Sequence, residues 1–224
     1  MESWEQDATT EHTVATQTHG RYLVSPGTDR PGRLLIGFHG YGESAEDQLR
    51  RLRAIPGADP WTVASIQGLH QFYRRRTNEV VASWMTRQNR ELAIEDNVAY
   101  VLQVIRRIEG DAAKGIVVAG FSQGVAMAYR VAVILDRPDV GLIACCGDVP
   151  PELDNSALSR IPAVLIGRGA RDDWYTAEKM GRDEERLRRA NVQVESITFD
   201  AAHEWSTEFS NACLGFIRTH LQET

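Results

Sequence analysis

Apolar residues run through this chain in two rhythms. The first is the short continuous run. Leu34-Leu35-Ile36-Gly37-Phe38, Gly115-Ile116-Val117-Val118-Ala119 and Ala163-Val164-Leu165-Ile166-Gly167 have the length and composition of strands covered on both faces. Residues 62–66 and 140–145 also read as strands, and residues 192–199 as a last strand with alternation. The second rhythm has the period of a helix. Over residues 89–109, Ile94, Val98, Val101, Leu102, Ile105 and Ile108 fall on one face, and Gly110 is placed to end the helix. Further helices are predicted over residues 45–55 (stopped by Pro56-Gly57), 125–135, 177–190 (mostly charged) and 205–221. Near the start, residues 13–18 alternate small and β-branched side chains, and residues 21–25 follow after His19-Gly20, which predicts a β-hairpin. Residues 68–83 are irregular and polar, a long loop; residues 1–8 are expected to be mobile.

Strands alternating with helices imply a three-layer α/β/α sandwich around a mostly parallel sheet, with antiparallel N-terminal edge strands. There is no repeat, low-complexity tract or linker, so residues 1–224 read as a single domain. A hydrophobic content of 42% and a charged content of 25% are ordinary for a soluble domain, and a net charge of −6 gives no electrostatic reason to expect nucleic acid. The apolar stretches fall far short of the ~20 residues that a membrane span needs. The acidic opening, Met1-Glu2-Ser3-Trp4-Glu5-Gln6-Asp7, has no secretory pattern, and three cysteines suggest no disulfide framework. A reducing cytoplasm is therefore expected. Adjacent Cys145 and Cys146 read as small core residues, and no Cys/His spacing resembles a zinc site.

In sheets of this kind ligands bind beyond the carboxyl ends of the strands, so the strand-to-helix junctions carry the candidate chemistry. Gly120-Phe121-Ser122-Gln123-Gly124 joins an apolar strand to a helix through a sharp turn with a serine at its apex, the pattern called a nucleophile elbow. A general base is expected after the last strand, where Phe199-Asp200-Ala201-Ala202-His203 supplies His203. The acid that orients it should follow an earlier strand. Asp172 and Asp173 compete in Gly167-Arg168-Gly169-Ala170-Arg171-Asp172-Asp173, with Asp148 one strand earlier as a further candidate. The Ser122, Asp172, His203 order is that of α/β-hydrolases. Oxyanion donors are expected from the backbone N–H of Tyr41, in His39-Gly40-Tyr41-Gly42, and of Gln123. His39 reads as a structural residue beneath its loop, and His220 as a surface residue.

With these residues placed, the chain resembles the carboxylesterase/phospholipase branch of the α/β-hydrolases, which includes acyl-protein thioesterases. The resemblance spans residues 22–221. It is carried by Phe38-His39-Gly40-Tyr41-Gly42, Ser83-Trp84-Met85, the pentapeptide around Ser122, Gly169-Ala170-Arg171-Asp172 and Ala202-His203. It selects Asp172 over Asp173. The chain departs from the family at Val125, where a further glycine is usual, at Trp84-Met85-Thr86 in place of Trp-Phe-Asp, and at Ala202 in place of glycine.

The expected activity is hydrolysis of a small-molecule ester or thioester through an acyl-enzyme, without metal or organic cofactor. A non-catalytic binding protein on the same fold and a hydrolase of amide or C–C bonds are the alternatives. Trp84, Trp174, Tyr175 and Trp205 are candidates for the pocket wall, or for packing at the sheet's end. About 16 residues separate Cys146 from Ala163, too few for a large lid. Arg74-Arg75-Arg76 either favours an acidic substrate group or is a solvated charge run, and residues 182–189 read as an Arg-rich surface helix.

Overall fold

The computed structural model describes residues 10–28, 32–109 and 115–221. In chain order its elements are β1 (Tyr22–Ser25), β2 (Leu34–Phe38), α1 (Ala45–Arg53), β3 (Thr62–Ile66), β4 (His70–Tyr73), β5 (Val80–Ser83), α2 (Arg90–Glu109), β6 (Ile116–Phe121), α3 (Gln123–Leu135), β7 (Val140–Cys145), α4 (Asn155–Leu158), β8 (Ala163–Gly169), α5 (Ala177–Arg189), β9 (Gln193–Phe199) and α6 (Thr207–Leu221). Seven strands form one sheet in the order β1-β3-β2-β6-β7-β8-β9. Every neighbouring pair is parallel except β1 with β3.

The continuous apolar strands serve two cores at once. Ile36 and Phe38 of β2, Val118 of β6, Leu142 of β7 and Ile166 of β8 pack with α2, α3 and α5. Their chain neighbours Leu35, Val117, Ile143 and Leu165 point the other way, against α1 and α6. That is the period-2 geometry of a strand with no wet face. Helix α2 covers its side with Val98, Val101 and Ile105 buried and Ile94, Leu102 and Ile108 partly so. Gly110 and residues 1–8 lie outside the described residues.

Chain direction along the sheet reverses at β2 and β6. From β2 the chain passes through α1 to β3 on one side; from β6 it passes through α3 to β7 on the other. The two connecting helices lie on opposite faces, so the loops leaving β2 and β6 part and open a crevice at their carboxyl ends. Helix α1 starts on a reciprocal cap, Ser44 accepting from the Asp47 N–H while the Asp47 carboxylate accepts from the Ser44 N–H.

Two expectations are corrected. Residues 13–18 form no strand and are exposed, so there is no opening hairpin; β1 pairs with β3, Tyr22 opposite Ile66 and Ser25 opposite Val63. The polar side chains there have no core face to hold them, whereas β3 offers the sheet's free edge. Within residues 68–83, β4 and β5 form an antiparallel hairpin, His70 opposite Ser83. Its outer strand β4 is wholly exposed, which hid it from a hydrophobic pattern. The short helix α4, capped by the Asp154 side chain on the Ala157 N–H, was also not anticipated.

Close approach of β2 to α3 depends on Gly124, where a Cβ would lie 2.1 Å from the Phe38 carbonyl oxygen. Gly124→Ala is expected to lower stability by roughly 1–3 kcal/mol, the usual cost of overpacking, seen as a lower urea midpoint. An unchanged midpoint would refute the contact.

Candidate active site

Ser122 stands between β6 and α3 at φ 52° and ψ −119°, a conformation an L-residue rarely adopts. Its N–H still continues the sheet ladder, donating to the Cys145 carbonyl at 2.9 Å. The turn closes because its neighbours lack side chains. A Cβ on Gly120 would meet the Gly124 carbonyl oxygen at 2.5 Å, and one on Gly147 would meet that of Ser122 at 2.5 Å.

The last two strands bring the other candidates to the serine. His203 follows β9; its Nε2 lies 2.8 Å from Ser122 Oγ and its Nδ1 lies 2.8 Å from Asp172 Oδ2. Asp172 follows β8 in a turn drawn against the β9 loop. There a Cβ on Gly169 would lie 2.0 Å from the Ala202 carbonyl oxygen. Asp172 Oδ1 accepts from the N–H groups of Trp174 (2.8 Å) and Tyr175 (2.9 Å). Burial alone would raise its pKa, but these N–H groups and His203 outweigh it and hold the carboxyl below its ordinary value. An anion at Asp172 fixes His203 with its proton on Nδ1, leaving Nε2 to accept from the serine hydroxyl. Asp173 is exposed, and Asp148 pairs loosely with Lys179 at 3.7 Å. Cys146 Sγ lies within 4.8 Å of ligand atoms of Asp172 and His203, but both nitrogens of His203 are already engaged.

The N–H groups of Tyr41 and Gln123 find no acceptor among the described residues. The loop holding Tyr41 is pinned on all sides. Glu43 accepts from the Gly40 N–H at 2.8 Å and pairs with Arg51 at 2.6 Å, and Arg51 lies 4.2 Å from the Phe121 ring. The β4–β5 hairpin props it from outside: Gly42 N donates to Ala82 O, Ala82 N to Glu43 O, and Phe72 meets the Tyr41 ring. Arg74 joins this prop by donating to the Gly42 carbonyl and to Glu79, while Arg75 and Arg76 are exposed. His39 is buried and neutral, its pKa lowered by burial; its Nδ1 meets the Gly40 carbonyl and its Nε2 accepts from the Gly68 N–H.

A cavity of about 760 Å³ opens beside Ser122 and His203. Of the four candidate wall aromatics, only Trp174 lines it, and it is exposed. The expectation fails for Trp84 and Tyr175, which are fully buried. Trp84 donates from Nε1 to the His39 carbonyl, and Tyr175 donates its hydroxyl to Asp183. Trp205 packs on Phe209 and donates to Ser210. His220 is partly buried, not a free surface residue, and pairs with Glu195 at 2.7 Å.

Residues 19–221 match the sequence pattern of the phospholipase/carboxylesterase family. The chain belongs to this family. It is an esterase-type α/β-hydrolase. Among solved structures it is similar in fold to the Bacillus cereus carboxylesterase (16% identity, covering 90% of this chain and 94% of that one, TM-score 0.68). Esterase PE8 (18%, 91% and 100%, TM-score 0.72) and acyl-protein thioesterase 2 from Zea mays (16%, 91% and 100%, TM-score 0.69) share it as well. A search of curated protein sequences finds no match.

Several residues that shape the site of this hydrolase carried no signal of their own in the sequence. The Gln123 side chain accepts from the Trp84 N–H and Ser83 hydroxyl and donates to the Met85 carbonyl, tying the elbow to the end of β5. Asn97, buried on α2, donates to the Trp84 carbonyl and accepts from the Leu69 N–H. Helix α5 is more than a charged surface. Asp183 accepts from the Val149 N–H, and Arg186 donates to the carbonyls of Val149, Pro150 and Leu153. Together they hold the loop that forms one cavity wall.

Burial pushes the Asp183 carboxyl up to about 6, against the bonds from Val149 and Tyr175 that favour its charged form. Between about pH 4, where the carboxyl ionises in the unfolded chain, and pH 6, the folded protein holds the extra proton. This group's contribution to stability is therefore full at low pH and is lost as pH rises through 6. Relative to the parent, Asp183→Asn should gain roughly 2–3 kcal/mol between pH 4 and pH 7, read from urea midpoints. A pH-independent difference would contradict the shift.

Proposed function

We propose that the protein hydrolyses small carboxylic esters, and thioesters as the nearest subclass, through an acyl-enzyme on Ser122. One observation carries the reading: His203 stands 2.8 Å from Ser122 Oγ on one side and 2.8 Å from Asp172 on the other. His203 Nε2 takes the hydroxyl proton as Ser122 Oγ attacks the acyl carbonyl. The carbonyl oxygen becomes an anion, met by the unpaired N–H groups of Tyr41 and Gln123. Collapse of the tetrahedral species breaks the bond to the leaving alcohol or thiol, which receives the proton from His203. Water, deprotonated by His203, then attacks the acyl-enzyme; its oxygen ends in the product acid, and the proton returns to Ser122. Asp172 remains an anion throughout and holds the imidazolium.

Met85, Ala126, Val149, Pro150, Pro151 and Trp174 give the cavity an apolar lining suited to the hydrocarbon part of such a substrate. No helix among the described residues is long and apolar enough to cross a membrane, and Cys145, Cys146 and Cys213 are free thiols. Both support action in a reducing, aqueous compartment, for which we propose the cytoplasm.

A fluorophosphonate probe should label Ser122, read as a mass shift on its peptide, and Ser122→Ala should abolish both labelling and p-nitrophenyl butyrate hydrolysis. Full hydrolysis by Ser122→Ala would remove the proposal. Asp172→Asn should lower kcat on the order of 10⁴-fold, by leaving His203 in the wrong tautomer. Asp173→Asn should leave it near the parent value, and the reverse ranking would reassign the acid.

A further inference from the structure

The cavity beside Ser122 has a second chemical character that simple ester hydrolysis leaves unused. Three arginines line it: Arg87 and Arg90, before and at the start of α2, and Arg130 on α3. Neither Arg87 nor Arg90 has a carboxylate within ion-pair distance among the described residues; Arg90 feels Glu152 and Arg130 only at longer range. Arg130 is 5% exposed. Its Nε and one terminal nitrogen are held by Glu152 Oε1 at 2.8 and 2.5 Å. The other terminal nitrogen has only the Met85 thioether, at 3.9 Å. A guanidinium with one edge held and the other facing a weak acceptor has donors to spare for an anion. The acidic group in the cavity wall, Asp148, is partnered by Lys179.

The arrangement also has a direction. Ser122, Ala126 and Arg130 follow one another at four-residue intervals, which places them in a row on one face of α3. Arg130 is about 12 Å along the helix from the serine, and helical side chains lean back toward the N-terminus, closer to the nucleophile. In the proposed mechanism the leaving group must stand at His203 Nε2, which arrives from the β9 loop. The part of the substrate that runs along α3 toward the arginines is then its acyl part.

We propose that this cavity selects esters whose acyl chain ends in a carboxylate, the monoesters of short dicarboxylic acids, with the free carboxylate held by Arg90 and Arg130 and drawn in by Arg87 at the rim. The planar forks of two arginines suit a carboxylate better than a point charge would. Met85, Ala126 and the Val149-Pro150-Pro151 wall accommodate the methylenes between the two ends. This inference rests on the esterase reading, with Ser122 as its nucleophile.

The test compares kcat/KM for monomethyl glutarate, adipate and suberate with that for methyl pentanoate, hexanoate and octanoate, by titrating the acid released. At least one diacid monoester should exceed its neutral counterpart by about tenfold, the worth of one part-exposed charged contact. Arg90→Gln should reduce that ratio by a similar factor, and Arg90→Lys should restore part of it. Salt near 1 M, where charges are screened beyond about 3 Å, should flatten the ratio. Free glutarate should inhibit hydrolysis of the neutral esters at lower concentration than butyrate does. A third arm uses butanoyl esters with the carboxylate in the alcohol part; preference for these over the diacid monoesters would overturn the assignment to the acyl part. Hydrolysis of the neutral esters with no diacid preference, or a preference untouched in Arg90→Gln, would overturn the inference and leave the esterase reading standing. Failure on every ester would remove both.

Discussion

A serine held at φ 52° and ψ −119° does not rest there by its own preference. Such a conformation costs on the order of 1–3 kcal/mol and persists only where the surroundings over-determine it. Here the surroundings are three backbones in contact. The Phe38 carbonyl presses on Gly124, the elbow folds back on Gly120, and the β7 loop crosses above at Gly147. The parallel pairing of β6 with β2 and β7 brings those backbones together. The sheet is thus what keeps the hydroxyl projected into the crevice, and the other candidate groups are arranged around a point already fixed.

Around that point, long-range polar bonds do the remaining positioning. Gln123 ties the elbow to residues 83–85, Glu43 and Arg51 clamp the Tyr41 loop, and Asp183 with Arg186 fasten the loop of residues 149–153. Gln123 and Arg186 are satisfied by groups of a segment far away in sequence, mostly backbone, and Asp183 in part, whereas Glu43 and Arg51 hold each other and the nearby Gly40 N–H. Buried polar groups of this kind are costly if left unpaired, so they favour one arrangement over its neighbours. The crevice is accordingly built before any substrate arrives, and binding has little loop ordering to offset.

The division between what could and could not be read from the chain follows from the same physics. Strands β2 and β7 were legible to the residue because burial on both faces leaves an unbroken apolar run, and β3 was so too although Thr62 and Ser65 interrupt its apolar positions. Ser122, Asp172 and His203 were singled out because each follows the carboxyl end of a strand, β6, β8 and β9 respectively, and the fold brings their side chains within hydrogen-bond distance of one another. The hairpin of β4 and β5 was not, since its outer strand His-Gln-Phe-Tyr is exposed and its pairing is satisfied by main chain alone. Trp84 and Tyr175 misled because aromatic character fits a core as well as a pocket; only the partners of their polar tips, His39 and Asp183, distinguish the two. Residues such as Asn97 and Arg186 carry no local sign of their targets, which adjoin them only after folding.

The elbow lies near the middle of the chain, while the strands that deliver Asp172 and His203 come later and occupy one end of the sheet. During synthesis, which proceeds from the N-terminus at about 5–20 residues per second, Ser122 emerges several seconds before His203. In the proposed mechanism the serine has no base to activate it in that interval, and β7 has no β8 beside it until residues 163–169 follow. Under that mechanism reactivity arrives as the last act of assembly, and a fragment ending before β9 carries Ser122 without its proposed base.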